Sequence, residues 1–190
     1  MNLLLDILQA AGVAVAIGIR PFLPTLLVGV LAAADLGVDF DGTSFAFLES
    51  PIWLAVLAIL VVVGLVREPP QDGRGREIIL LIGAVLAALT FAGQLDDRFD
   101  VWWPGLIAGP PLALLGTVAA GGLFARVRAR LDAATARTLP LYARAIAVAI
   151  AGLSVLAPPF GLVAVVGAVV LLRGGQRRDG EKYAGLRILR

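Results

Sequence analysis

The sequence predicts an all-α fold, a polytopic transmembrane helical bundle, and three observations predict it. Hydrophobic residues make up 59% of the 190, and the mean hydropathy is +0.93, where a soluble domain is roughly half apolar. Apolar runs of membrane-crossing length recur along the whole chain. The 16 basic and 14 acidic residues fall in short blocks between those runs. The pattern describes one integral membrane domain over 1–190, with three full spans and two proline-broken terminal segments.

The first segment, 3–34, is interrupted only by Asp6, Gln9 and the stretch Gly18-Ile19-Arg20-Pro21-Phe22-Leu23-Pro24. At about 32 residues it is too long for one crossing, which takes about 20, while each half is too short. It therefore reads as a re-entrant pair of half-helices or as one long, kinked helix. A basic n-region is missing, which argues against a cleaved signal peptide.

An acidic loop with Asp35, Asp39, Asp41 and Glu49 leads to a span over 51–67, opened by Pro51 with Trp53 at the interface. A polar turn from Arg67 to Glu77 precedes the span 77–95, which closes with Thr90 and Gln94. Asp96, Asp97 and Asp100 follow, and Trp102-Trp103-Pro104 marks re-entry into the span 103–125, broken early by Gly109-Pro110-Pro111. Arg126 to Arg137 has the spacing of a short interfacial helix. The last segment, 139–173, repeats the plan of the first, with Ala157-Pro158-Pro159-Phe160-Gly161 near its middle and Ala-Val-Ala-Ile ahead of both breaks. A basic tail covers 174–190.

The positive-inside rule places the Arg67 turn, the Arg126 loop and the C-terminal tail in the cytoplasm and the two acidic loops outside. The first segment then becomes an out-to-out hairpin and the last an in-to-in hairpin, with proline-broken tips facing the middle, a plan used by transporters. Lys182 is the only lysine, and Ala, Gly and Val abound, in keeping with a bacterial cytoplasmic (inner) membrane protein.

Without cysteine or histidine, the chain has no disulfide, no thiolate or imidazole metal site and no Ser-His-Asp arrangement. No catalytic constellation, metal or cofactor is expected. The pI of 9.7 accompanies a net charge of only +2, spread by topology, which does not describe a nucleic-acid binder. The expected partners are the bilayer and an anionic lipid or small anion. Small residues four apart, such as Gly12 and Ala16 or Gly105 and Gly109, permit close helix packing within the chain or in a homo-oligomer.

By this charge assignment Arg20 is the one charge deep in an apolar segment. A guanidinium offers a planar fork of donors for phosphate or carboxylate, and a half-helix starting at Pro24 and Thr25 would aim its positive end at the same place. The alternative is that Arg20 caps carbonyls freed by Pro21 and Pro24 and holds the bend. Gly109, Pro110, Pro158 and Pro159 would place further helix N-termini around a shared volume, with Gln94 facing it. Asp96 and Asp97 are candidates for proton or cation coupling, or simply a solvated loop.

Gly18 to Pro24, together with Lys182-Tyr183-Ala184-Gly185-Leu186-Arg187-Ile188-Leu189-Arg190, resembles a family of bacterial integral membrane proteins known only as a domain of unknown function, whose members share a G-[IL]-R-[AP]-[FY]-L-P-like element. The resemblance covers nearly the whole chain and implies no settled activity. In architecture alone, the chain is similar to membrane proteins with opposed re-entrant hairpins implicated in moving undecaprenyl phosphate and other lipids. The functional expectation is transport or flipping of a small anion, a lipid phosphate among the candidates, with a non-transporting scaffold or assembly partner as the alternative.

Overall fold

The computed structural model describes the backbone of residues 3–66 and 73–184, and their side chains except at 133 and 176–184. Helices run α1 (Leu3–Ile19), α2 (Phe22–Ala32), α3 (Pro51–Val66), α4 (Gly73–Phe99), α5 (Trp103–Arg128), α6 (Ala133–Ala136), α7 (Leu139–Leu156) and α8 (Pro159–Ala184), with a 3-10 turn at Ala46–Glu49. No strand occurs among the described residues, and the all-α class holds. The polar turn at 67–72 and the last six residues of the C-terminal element lie outside the described residues; the basic tail continues α8 as far as Ala184.

The stretches long and apolar enough to cross a membrane are α4, α5 and Ala134–Leu156. Two of these hold spans expected from the sequence, and the third lies in the last segment. The helix expected over 51–67 is described over Pro51–Val66, its last residue lying outside the described residues. The last segment breaks only at Ala157-Pro158, so α7 is already 18 residues long rather than a short half. The spans expected at 77–95 and 103–125 extend to the bounds of α4 and α5 because their polar flanks stay helical.

The hub is α1, which packs against α4, α5, α7 and α8 and is buried continuously from Gln9 to Ile17. Four neighbours fit around one helix only if backbones approach closely, and its Ala-, Gly- and Val-rich sequence allows that. A Cβ on Gly161 of α8 would lie 2.6 Å from the Leu8 carbonyl carbon, and one on Gly18 would lie 2.6 Å from that of Ala113 in α5. Gly105 and Gly109 do the same work between α5 and α4, each within 2.5 Å of a backbone atom of Ala92 or Ala87 by that measure. The small-residue spacing thus serves contacts within the chain.

Both terminal segments are hairpins, and they enter from opposite ends. Asp6 near the start of α1 faces Arg98 at the end of α4, and Gln9 donates a 2.8 Å hydrogen bond to the Gly37 carbonyl just beyond α2. The first hairpin therefore begins and ends at one end of the bundle, the acidic end. Its tip, Arg20-Pro21, sits beside Gly83, about 15 Å along α4. The second hairpin begins at the other, arginine-rich end, where Arg144 donates to the Gly64 carbonyl of α3, and returns there at Gly175 beside Arg126. Its tip does not stop at mid-depth as expected; Gly161 lies against Leu8 at the acidic end.

Three further expectations change. α5 runs unbroken through Pro110 and Pro111, so no helix N-terminus forms there; a packed membrane helix tolerates proline where neighbours support the freed backbone groups. Arg126 to Arg137 is not one interfacial helix: Arg126 and Arg128 finish α5, and α6 is a separate short turn capped by Asp132, which accepts from the Ala134 and Thr135 amides at 3.1 and 3.2 Å. Arg20 is not the most buried charge, because it is only partly buried while Asp6, at the acidic end, is 5% exposed.

The acidic loop is more than a solvated connection. Val38, Phe40, Phe45 and Leu48 are buried in the core, and the Ser44 amide donates to Asp96 at 3.2 Å. These contacts seat the loop over the acidic end. Trp102 and Trp103 stay exposed at the start of α5, as interfacial aromatics do.

Replacing Gly161 by Ala forces a methyl into the Leu8 backbone, and overpacking of this kind costs about 1–3 kcal/mol. Gly167 on the same helix has open space around it. In detergent melting, Gly161→Ala is expected to lower Tm and Gly167→Ala to leave it unchanged or raise it; equal melting of the two variants would refute the close α1–α8 approach.

Candidate functional site: an arginine-lined cleft

The break after Ile19 leaves the carbonyls of the last turn of α1 without intrahelical donors. Thr117 of α5 meets one of them, its hydroxyl lying 2.7 Å from the Gly18 carbonyl and 3.0 Å from that of Ala113. Within α2, Thr25 donates to the carbonyl of the cap residue Pro21 at 2.7 Å. Pro24 falls in the first turn of α2, where its missing N–H would have had no partner. Thr117 thus ties the end of α1 to α5, and Arg20 stands at the bend between α1 and α2.

Arg20 opens onto a cleft of about 1300 Å³ between α1, α2, the second half of α3, the first half of α4, the second half of α5 and the start of α7. That exceeds the 300–1,000 Å³ of ordinary small-molecule pockets. Its walls are mostly apolar, with Leu60, Leu80, Leu114 and Phe124 among them, and four arginines line it: Arg20, Arg76, Arg128 and Arg144. No acidic residue occurs among the described residues that line it. Arg20 lies deepest, while Arg76 is about 10 Å nearer the arginine-rich end along α4. Arg144 bonds to a carbonyl in the last turn of α3, a helix that otherwise rests on α2 and the 3-10 turn.

The N-terminus of α2 also opens here, since Pro21, Phe22 and Leu23 line the cleft and Pro21, at the cap position, offers no side-chain hydrogen bond. Amide groups and a positive dipole end thus stand beside the arginine, as the sequence suggested for Pro24 and Thr25. These two residues are themselves buried behind the cleft wall.

The other expected members are elsewhere. Gly109 is pressed on Ala87, Pro110 continues α5, and Pro158 and Pro159 turn the second hairpin at the acidic end. Gln94 is about 16 Å along α4 from Gly83, also towards the acidic end. Of the coupling candidates, Asp96 accepts from the Ser44 amide and Asp97 pairs with Arg98 at 2.9 Å. Sequence reasoning missed Arg76, Arg128 and Arg144 as site residues because it assigned them to solvated loops. Their readable signal is position: each lies within a turn or two of a span's end, where a long side chain can reach back along the helix.

At the acidic end, Asp39, Asp41 and Glu49 bring their carboxylates within 4.8 Å of one another. Burial raises the Glu49 pKa above the usual carboxylate value, against the Phe40 amide that it accepts, and Asp41 and Asp39 add to the rise.

No family model, curated protein or solved structure matches the chain.

Two substitutions check this geometry. Thr117→Val keeps the shape but leaves the Gly18 carbonyl without its hydroxyl, at a cost of about 1–3 kcal/mol, read as a lower Tm; an unchanged Tm counts against the bend being held by Thr117. For Glu49 the folded-state pKa is raised, so its ionisation opposes folding above that pKa, and the penalty disappears as pH falls through it. Glu49→Gln is expected to melt above the wild type at neutral pH, with the gap closing as pH is lowered towards the ordinary carboxylate pKa.

Proposed function

We propose that the protein binds a lipid phosphate, or another amphiphilic anion, in the arginine-lined cleft and moves it across the bacterial cytoplasmic membrane. The observation that carries this reading is the pairing of four arginines with a mostly apolar wall and no acidic residue among the described lining residues. A soluble anion would gain little from the apolar surface, and a neutral lipid would gain little from the arginines. A phosphate on a hydrocarbon chain uses both: the guanidiniums offer charge-assisted hydrogen bonds and the walls remove the chain from polar surroundings.

The depth of Arg20 supports movement rather than surface docking, because a headgroup that reaches it from the arginine-rich end has passed about 15 Å of α4. The positive-inside rule puts the mouth of the cleft, and with it the C-terminus, on the cytoplasmic side. The first hairpin supports the same reading, since its broken tip beside Arg20 resembles the discontinuous helices that form substrate sites in transporters.

The test is binding and flux of a fluorescent lipid phosphate with the full chain reconstituted in liposomes. Arg20→Ala is expected to weaken binding about 10- to 100-fold, the equivalent of one charge-assisted bond, and to slow flux. Arg20→Lys should recover only part of both, since an ammonium keeps the charge but not the planar fork. If both variants fold and both leave binding and flux intact, the proposal fails. A lowered Tm with unchanged binding would reduce Arg20 to a support of the bend, as in a scaffold.

A further inference from the structure

At the opposite end of α1, three residues with unpartnered acceptor oxygens line one small cavity. Asp6, Gln9 and Gln94 are 5%, 3% and 6% exposed, and Asp6 Oδ1, Gln9 Oε1 and Gln94 Oε1 each lack a hydrogen-bond donor among the described residues. The amides are fixed in this sense by their other halves: Gln9 Nε2 donates to the Gly37 carbonyl at 2.8 Å and Gln94 Nε2 to the Thr90 carbonyl at 3.2 Å. Gly37, Val38, Asp97 and Arg98 complete the lining. The space is about 10 Å³, close to one water-sized body.

We infer that this cavity is a binding site for a small monovalent cation, sodium by size, held by Asp6, Gln9 and Gln94. Unpaired acceptors at this burial are costly, and the occupant that satisfies them must be a donor or a cation. A water has two protons for three side-chain oxygens and the spare lone pair of Gly37. Charge points the same way. Arg98 lies 3.7 Å from Asp6 and 2.9 Å from Asp97, so among the described residues two ionised carboxylates face one guanidinium, an excess of one negative charge. A single positive charge balances it, whereas a divalent ion would bring an excess and usually takes six or more oxygens. The oxygen donors are of the hard type that suits such an ion.

The site stands independently of the arginine cleft. It joins the start of the first hairpin, the exit of α2 and the end of α4, so occupancy would fasten the hairpin's open end to the bundle.

The test is thermal melting of the purified full chain in sodium, potassium or N-methylglucamine chloride at fixed ionic strength. Sodium is expected to raise Tm saturably, by about 5 °C or more when well above its dissociation constant, with N-methylglucamine giving no rise. Gln94→Leu and Asp6→Asn are each expected to abolish the sodium-specific increment. Equal melting in the three salts means that the cavity holds water, and overturns the inference. So does a folded Gln94→Leu that keeps the full sodium response. Should a variant fail to purify, the wild-type comparison alone decides.

Discussion

Besides its hairpin partner α2, four helices touch α1, and the need to let them approach is the constraint on which the rest of the bundle depends. In lipid, helices gain no hydrophobic advantage by associating, so contact must come from backbone proximity and complementary packing. The run from Ala10 to Ile17 supplies a narrow cylinder without bulky projections. Gly161 and Gly116 complement it from the neighbouring helices. Large side chains are displaced outwards: Ile52, Ile59 and Val66 of α3 and Ile107 of α5 face away from the core. The arrangement is that of a soluble core turned around, with small residues within and large ones towards lipid.

Packing this tight leaves little room for polar groups, and those admitted are grouped by sign. Towards one end lie acceptors in excess: Asp6, Gln9, Gln94 and the carboxylates of the covering loop. Towards the other lie donors in excess, the guanidiniums around the cleft. α1 connects the two, carrying Asp6 near its start and ending beside Arg20. Backbone carbonyls at the helix ends draw on both kinds of donor: the Gly18 carbonyl is met by the Thr117 hydroxyl and the Gly64 carbonyl by Arg144.

Much of the fold was legible because hydropathy and proline report directly on membrane depth and helix breaks. Pro21 and Pro158 stand at real chain reversals, and the charge blocks separate the two ends of the bundle. Pro110 and Pro111 carry the same local signal and produce no break, since α5 is clamped against α4 through Gly105 and Gly109. Proline alone cannot distinguish the two cases; the neighbours decide. The site was half legible. Arg20 stood out because no apolar residue disguises it, but Arg144 and Arg128 sit in a basic loop whose reach back into the bundle depends on helix orientation. Asp6 and Gln9 were visible as interruptions, and their separation of three places them on one helix face. Gln94 joins them only through the packing of α1 on α4, which no local pattern encodes.

The position of α1 has a consequence for biogenesis. Of the described helices it is the first made, yet apart from α2 it packs against α4, α5, α7 and α8, and Leu8 meets Gly161 about 150 residues later. Gln9 finds Gly37 early, but Asp6 has no guanidinium beside it until Arg98 at the end of α4 is made. The hub of the bundle is therefore enclosed late, only once α8 is in place.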